Sequence, residues 1–202
     1  MIREDLSISI LNRIKKIIEP SVREIKFHAK RDGIKHEKHW ESYISEEALN
    51  RISDKDVNVA ETSNLYSFSS KITNNLLHIL KEVYSNNSVF SSGRFYYPPT
   101  GYMGWHTNYE MPEERVYITY ASEQNKSFFK YLEGDKVITD YDDRGLTVRR
   151  FSVSSERPYF WHCAGSNCDR FSFGYRLKPI ESWYNKAKGN KLMAIAPGTY
   201  DM

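Results

Sequence analysis

The residues with most chemical content lie in the second half of the chain. The stretch Arg170–Leu177 alternates. Arg170, Ser172, Gly174 and Arg176 fall on one side, and Phe171, Phe173, Tyr175 and Leu177 on the other. Two guanidinium groups inside so apolar a strand need anions, because a buried charge without a partner is very costly. A bound carboxylate answers that need, since the guanidinium fork matches it bidentately and the Ser172 hydroxyl adds a further bond. An internal acid such as Asp169 or Asp140 is the alternative to that more economical answer. Upstream, His106 and Asn108 stand two apart in Met103–Asn108, so on a strand their side chains share a face. His162 follows Trp161 near the end of another short run; taken alone it reads as a core histidine.

The elements that must position these groups change character near Ser88. Before it the chain reads as helical. Apolar residues recur at helical spacing from Asp5 to Ile18, and Pro20 is expected to end that helix. A short helix is predicted over Ser45–Ile52, opened by Ser45 with Glu46 and Glu47 in its first turn. A third is carried by the stripe Ile72, Leu76, Leu77, Ile79, Leu80 and Val83. After Ser88 eight short strands are predicted: Val89–Tyr97, Met103–Asn108, Arg115–Ala121, Ser127–Leu132, Lys136–Asp140, Thr147–Val153, Tyr159–Cys163 and Arg170–Leu177. Turn compositions separate them, among them Pro98-Pro99-Thr100-Gly101, Glu133-Gly134-Asp135 and Asp142-Asp143-Arg144-Gly145; Asp142-Asp143 reads as solvated. Eight close-spaced antiparallel strands imply a sandwich or a double-sheet jelly roll. The expected organisation is a single domain: residues 1–87 helical and packed on the sheet, 88–179 the β core, 180–202 a C-terminal extension with a helix over Ser182–Ala187.

Composition excludes several classes. Of the 202 residues 40% are apolar and 27% charged, enough to build a core and too balanced for a disordered chain. The 15 Tyr, 10 Phe and 4 Trp suit strands. Lys and Arg number 29 against 26 Asp and Glu, a net charge of +3, so no strong nucleic-acid field follows. No apolar run approaches the roughly 18 residues that cross a bilayer. Met1-Ile-Arg-Glu-Asp5 does not read as a secretory signal, and the two cysteines, Cys163 and Cys168, are expected as free thiols in a reducing cytoplasm. His36 and His39 lie in a basic segment that reads as a solvated loop, with a metal pair as the alternative if it is helical.

The order His106-Thr-Asn108, a distant His162, then Arg170-Phe-Ser172 on the next strand resembles the Fe(II)/2-oxoglutarate-dependent oxygenases, whose fold is a double-stranded β-helix, a cupin-like jelly roll. Arg94-Phe-Tyr-Tyr97-Pro-Pro-Thr-Gly101-Tyr-Met-Gly-Trp-His106-Thr-Asn108 is similar to the segment holding the first metal ligand in the AlkB-like and prolyl-hydroxylase-like branches. Gly104-Trp-His-Thr-Asn108 also resembles uncharacterised oxygenase-like proteins of marine phages and bacteria. The likeness spans Ser88–Pro179. It implies His106 and His162 as Fe(II) ligands, with Asn108 in the position of the third. It implies Arg170 and Ser172 as holders of the distal carboxylate of 2-oxoglutarate, Tyr97 as a further carboxylate contact, and Arg176 as the second arginine of the AlkB-like branch. The protein would orient the reactants while the iron performs the oxidation.

Asn108 departs from the family, which has Asp or Glu there. A neutral amide donates less charge to iron, so affinity should fall. Three readings follow. Asn108 coordinates weakly or leaves its place to water or an anion, as in related halogenating enzymes; Glu110 supplies the missing oxygen; or the site is degenerate and the chain is a binding module. The expectation is a dioxygenase coupling 2-oxoglutarate decarboxylation to hydroxylation of a protein side chain or small molecule. The competing class is a jelly-roll module binding a carboxylate ligand. A nucleobase demethylase would need a stacking pocket, for which Tyr96, Trp105 and Tyr109 are the candidates. Trp105 and Trp161 otherwise read as core aromatics.

Overall fold

A computed structural model describes residues 1–28, 30–32 and 39–180. His36 and the helix expected over Ser182–Ala187 lie outside the described residues. The chain opens with β1 (Ile2–Arg3), α1 (Ile8–His28) and β2 (Lys30–Asp32). A 3-10 turn over Trp40–Ile44 leads to α2 (Glu46–Asn50), then β3 (Thr62–Ser63), β4 (Leu65–Ser67) and α3 (Ser70–Val83). Eight strands follow: β5 (Asn87–Tyr97), β6 (Gly101–His106), β7 (Glu114–Ala121), β8 (Ser127–Glu133), β9 (Lys136–Tyr141), β10 (Gly145–Ser152), β11 (His162–Ser166) and β12 (Arg170–Pro179).

The eight strands wind into two four-stranded antiparallel sheets, β10-β7-β12-β5 and β6-β11-β8-β9, which is a jelly roll. β1, β4 and β2 extend the first sheet and β3 the second. The N-terminal third, expected as helices, therefore also supplies short edge strands. Three packed layers result. Between the sheets lie Leu65, Tyr97, Phe129, Tyr131, Phe151 and Ala164. Outside the larger sheet, Ile14, Ile18 and Ile25 of α1 and Ile72, Leu76 and Leu80 of α3 pack on Val116, Ile118, Phe171 and Phe173. Outside the smaller sheet, Trp40, Ile44, Ala48 and Leu49 cover Tyr102, Trp105, Trp161 and Cys163.

Alternation decides which face of each strand does which job. On β12 the apolar set Phe171, Phe173, Tyr175 and Leu177 meets the helices, leaving Arg170 and Ser172 to line the interior between the sheets. β7 repeats the scheme, with Val116 and Ile118 outward and Arg115, Tyr117 and Thr119 inward. The β8–β9 hairpin closes with Glu133 paired to Lys136, so Gly134 and Asp135 form a two-residue turn, and Gly134 takes the positive φ of 58° that it requires.

Three local expectations are corrected. Pro20 does not end α1, which runs on to His28. A proline inside a helix costs about 3 kcal/mol or more, but Ile18 before it and Ile25 after it are both buried in the helix–sheet layer, and tertiary packing keeps the helix going. β6 stops at His106, so Asn108 is not on the strand. The last predicted strand before β12 starts at His162 rather than Tyr159, because Trp161 N bonds back to Tyr159 O in a turn.

Candidate active site

Antiparallel pairing of β11 with β6 sets His162 directly opposite His106. Their rings approach to 4.1 Å between centroids at an interplanar angle of 50°. Each ring is fixed from behind. His106 Nδ1 lies 2.9 Å from Gly104 O, and His162 Nδ1 lies 2.9 Å from Phe160 O. A carbonyl only accepts, so both Nδ1 atoms carry the proton and both Nε2 atoms keep a lone pair. This is the tautomer and the rear support that metal-binding histidines use. Both rings are almost fully buried. Burial lowers His106 to about 4, with the Arg115 charge adding to the effect. Burial, then His106 itself, pushes His162 well below the ordinary range. Both imidazoles are therefore neutral at pH 7, as a metal ligand must be.

Asn108 reaches this pair by another route than strand alternation. Two residues past the end of β6 the chain turns, its backbone N–H atoms at Thr107 and Asn108 bonding to Val57 O and Asn58 O. Asn108 adopts a left-handed conformation with φ 57°, which asparagine tolerates better than most residues. The amide swings back so that Nδ2 lies 3.1 Å from His162 Nε2 and donates to it. The three side chains thus converge, with no carboxylate among them. Glu110 is exposed and accepts from Asn58 Nδ2, so the reading in which it replaces a missing acid is not met. Among the described residues no group of three or more His, Cys, Asp or Glu side chains could hold a metal. Two neutral imidazoles, with the Asn108 amide turned over so that its oxygen faces them, would suit a divalent transition metal and would leave it its full charge and at least three open positions.

Arg170 is completely buried beside this pair, its guanidinium 4.6 Å above the Tyr97 ring. Its internal partner is neither Asp169 nor Asp140. Arg170 Nε donates to Asp142 Oδ2 at 2.9 Å. Ser127 Oγ donates to the same oxygen at 2.5 Å, and Arg149 Nη1 donates to Oδ1. Asp169 instead serves Tyr96 and Lys26, and Asp140 serves Arg149 and Arg3. Asp142, expected in a solvated turn, is fully buried. Burial alone would raise its carboxyl; Arg170, then Arg149, with the Ser127 hydrogen bond, hold it at about 2. One end of the Arg170 fork nevertheless remains open, because Nη1 has no partner among the described residues. Arg170, Ser172, Tyr97, His106 and His162 all line one narrow space between the sheets, together with Met103, Tyr117 and Phe129. That space measures about 10 Å³, room for one water. Met103, His106 and Tyr117 form the wall it shares with a second, open cleft of about 290 Å³.

Arg176 is not part of this set. It points to the rim, pairs with Glu113 at 3.4 Å and lies over Phe90. The three aromatics proposed for a base-stacking pocket are scattered: Tyr96 stacks on Phe171, Trp105 donates to Ser45 O in the outer layer, and Tyr109 stacks on Tyr159. His39 is exposed. Two residues that matter were missed. Asp142 was hidden by its turn composition, and Arg115 by the acidic Glu113-Glu114 before it. A single arginine at the head of an alternating apolar strand was the available signal for the second.

No family model matches the chain, and no curated protein matches it. Solved structures do. A prolyl hydroxylase from Trichoplax adhaerens, solved with a hypoxia inducible factor peptide, is 10% identical over 89% of this chain and 97% of its own, with a TM-score of 0.41. A prolyl-4-hydroxylase from Pseudomonas putida is 9% identical over 82% and 98%, with a TM-score of 0.41. YcfD, a ribosomal oxygenase from Escherichia coli, is 13% identical over 79% of this chain, with a TM-score of 0.38; the chain spans about half of its length (51%). Likenesses at this level assign no role to any residue.

Proposed function

We propose that the protein is a non-haem Fe(II)- and 2-oxoglutarate-dependent dioxygenase that hydroxylates a small molecule or a protein side chain. The observation that carries this reading is the adjacent, tilted pair His106 and His162, each with Nδ1–H tied to a backbone carbonyl and Nε2 left as an acceptor. His106, His162 and the Asn108 amide oxygen would hold the iron, which supplies the activation of O₂. Arg170 Nη1, with Ser172 and Tyr97, would take the distal carboxylate of 2-oxoglutarate. Met103, unbranched and flexible, would have to turn aside to admit it, since the space beside Arg170 is the size of a water. The neutral Asn108 leaves both positive charges of the metal to be met by the co-substrate, which makes the two bind interdependently. The scattering of Tyr96, Trp105 and Tyr109 argues against a nucleobase substrate. The described residues contain no helix long and apolar enough to cross a membrane, and two buried free thiols fit the cytoplasm.

A second reading has its own support. Asp142 already neutralises Arg170, and the space beside it has room for only one water, which favours a degenerate module. Anaerobic titration of the apoprotein with Fe(II) and 2-oxoglutarate separates the two. A weak visible charge-transfer band, followed by succinate release in air, supports the dioxygenase. Absence of both leaves the binding module.

A further inference from the structure

The open cleft in front of His106 holds a second buried guanidinium that the reading above does not use. Arg115, at the head of β7, is 1% exposed. Its Nη1 donates to Ser92 Oγ at 3.2 Å and its Nη2 to Met111 O at 2.9 Å, while Nε has no partner. Among the described residues no carboxylate bonds it, in contrast to Arg149 and Arg170. The nearest acids in sequence are engaged elsewhere, Glu114 by Arg150 and Glu113 by Arg176 and Lys178, and Arg176 stands opposite Arg115 in the β12–β7 register. Local charge therefore runs positive. Arg115 lines the cleft of about 290 Å³ together with His106 and Asn108, and the remaining walls are largely apolar, from Val59, Phe95, Met103 and Tyr117. A buried cation with only neutral partners is costly to keep, and a site of this volume with one charged anchor and apolar walls is suited to a small organic anion.

We propose that Arg115 receives the carboxylate of the primary substrate, a small acid with an apolar body seated in the cleft before His106. Calling that acid the substrate rests on the dioxygenase reading; the acid site itself does not. Arg115 shares the lining of this cleft with His106 and Asn108. An acid anchored on it presents its body to the metal position from the side opposite Arg170.

The test uses hippurate and its neutral amide, hippuramide, as probes on the full chain without metal, followed by calorimetry and ligand-observed NMR. Wild type should bind hippurate at least tenfold more tightly than hippuramide. Arg115→Met should lose about 10- to 100-fold in hippurate affinity, the scale of one charged hydrogen-bonded pair, and should leave 2-oxoglutarate affinity in the presence of Mn(II) within twofold. Arg170→Gln should do the reverse. Arg115→Met should also melt no lower than wild type, because it removes an uncompensated buried charge; Arg115→Lys serves as the second variant if Arg115→Met does not fold. Equal affinity for hippurate and hippuramide, or hippurate binding unchanged in Arg115→Met or Arg115→Lys, overturns the proposal. Loss of 2-oxoglutarate rather than hippurate on changing Arg115 overturns it too, since the arginine would then anchor the co-substrate. Hippurate binding through Arg115 with no iron–2-oxoglutarate band would leave the acid site standing and remove the dioxygenase reading instead.

Discussion

Asn108→Asp tests the three-residue convergence with effects of opposite sign in the empty and metal-loaded protein. Asparagine and aspartate have nearly the same volume and both tolerate the left-handed backbone that residue 108 adopts at φ 57°. The substitution therefore changes only the polar head. In the empty protein it removes the Asn108 Nδ2–H donor that lies 3.1 Å from His162 Nε2 and places two acceptors in contact. A buried acceptor left without a donor costs about 1–3 kcal/mol. In a chain of this size that is a fall of about 2–12 °C in Tm. With a divalent metal bound the same carboxylate becomes a charged ligand, so affinity should rise by at least about tenfold. Melting curves with and without Mn(II), and calorimetry with Mn(II) added to chelator-treated protein, read both effects. A Tm unchanged in the empty variant, together with an unchanged Mn(II) affinity, would mean that Asn108 does not face the two rings, and the site would reduce to a histidine pair.

Burial holds His106 at about 4 in the folded protein, against about 6.5 in an unfolded chain. The unfolded chain takes up a proton between those values that the folded one refuses, so stability should drop as pH falls from about 6.5 toward 4, by roughly 3 kcal/mol from this group, with His162 adding in the same sense. A Tm profile flat over that range would contradict the burial, and His106→Gln should reduce the slope. Asp142 works lower down: held at about 2, its contribution is complete above about 4 and is lost as pH falls further. Asp142→Asn should cost about 3–5 kcal/mol in urea unfolding by stranding Arg170, while Arg149 keeps Asp140; a loss under about 1 kcal/mol would show that the pairing carries little. Gly165→Ala should destabilise β11 by about 1–3 kcal/mol, because its new Cβ would come within 2.7 Å of Trp40, 2.8 Å of Ile44 and 2.9 Å of Phe128; an unchanged Tm would mean that the outer layer yields freely.

The sequence by itself narrowed the second half to a sandwich or a jelly roll and placed some of the residues that line its interior. Turn compositions cut the second half into eight runs close to β5–β12, and period-two alternation placed Arg170 and Ser172 on one face of β12 and the phenylalanines on the other. Those are local signals, and strand alternation survives folding because one face must be buried. What only the tertiary structure decided depends on pairing across the barrel. The opposition of His106 and His162 comes from the β6–β11 register, and the neutralisation of Arg170 by Asp142 comes from a turn folded inward beneath three strands. Asn108 reached the site through a left-handed turn where alternation predicted a strand, and α1 ran past Pro20 because packing on the sheet outweighed the broken hydrogen bond. Arg115 gave its identity in the sequence but not its burial, because only closure of the two sheets shows that no acid came with it.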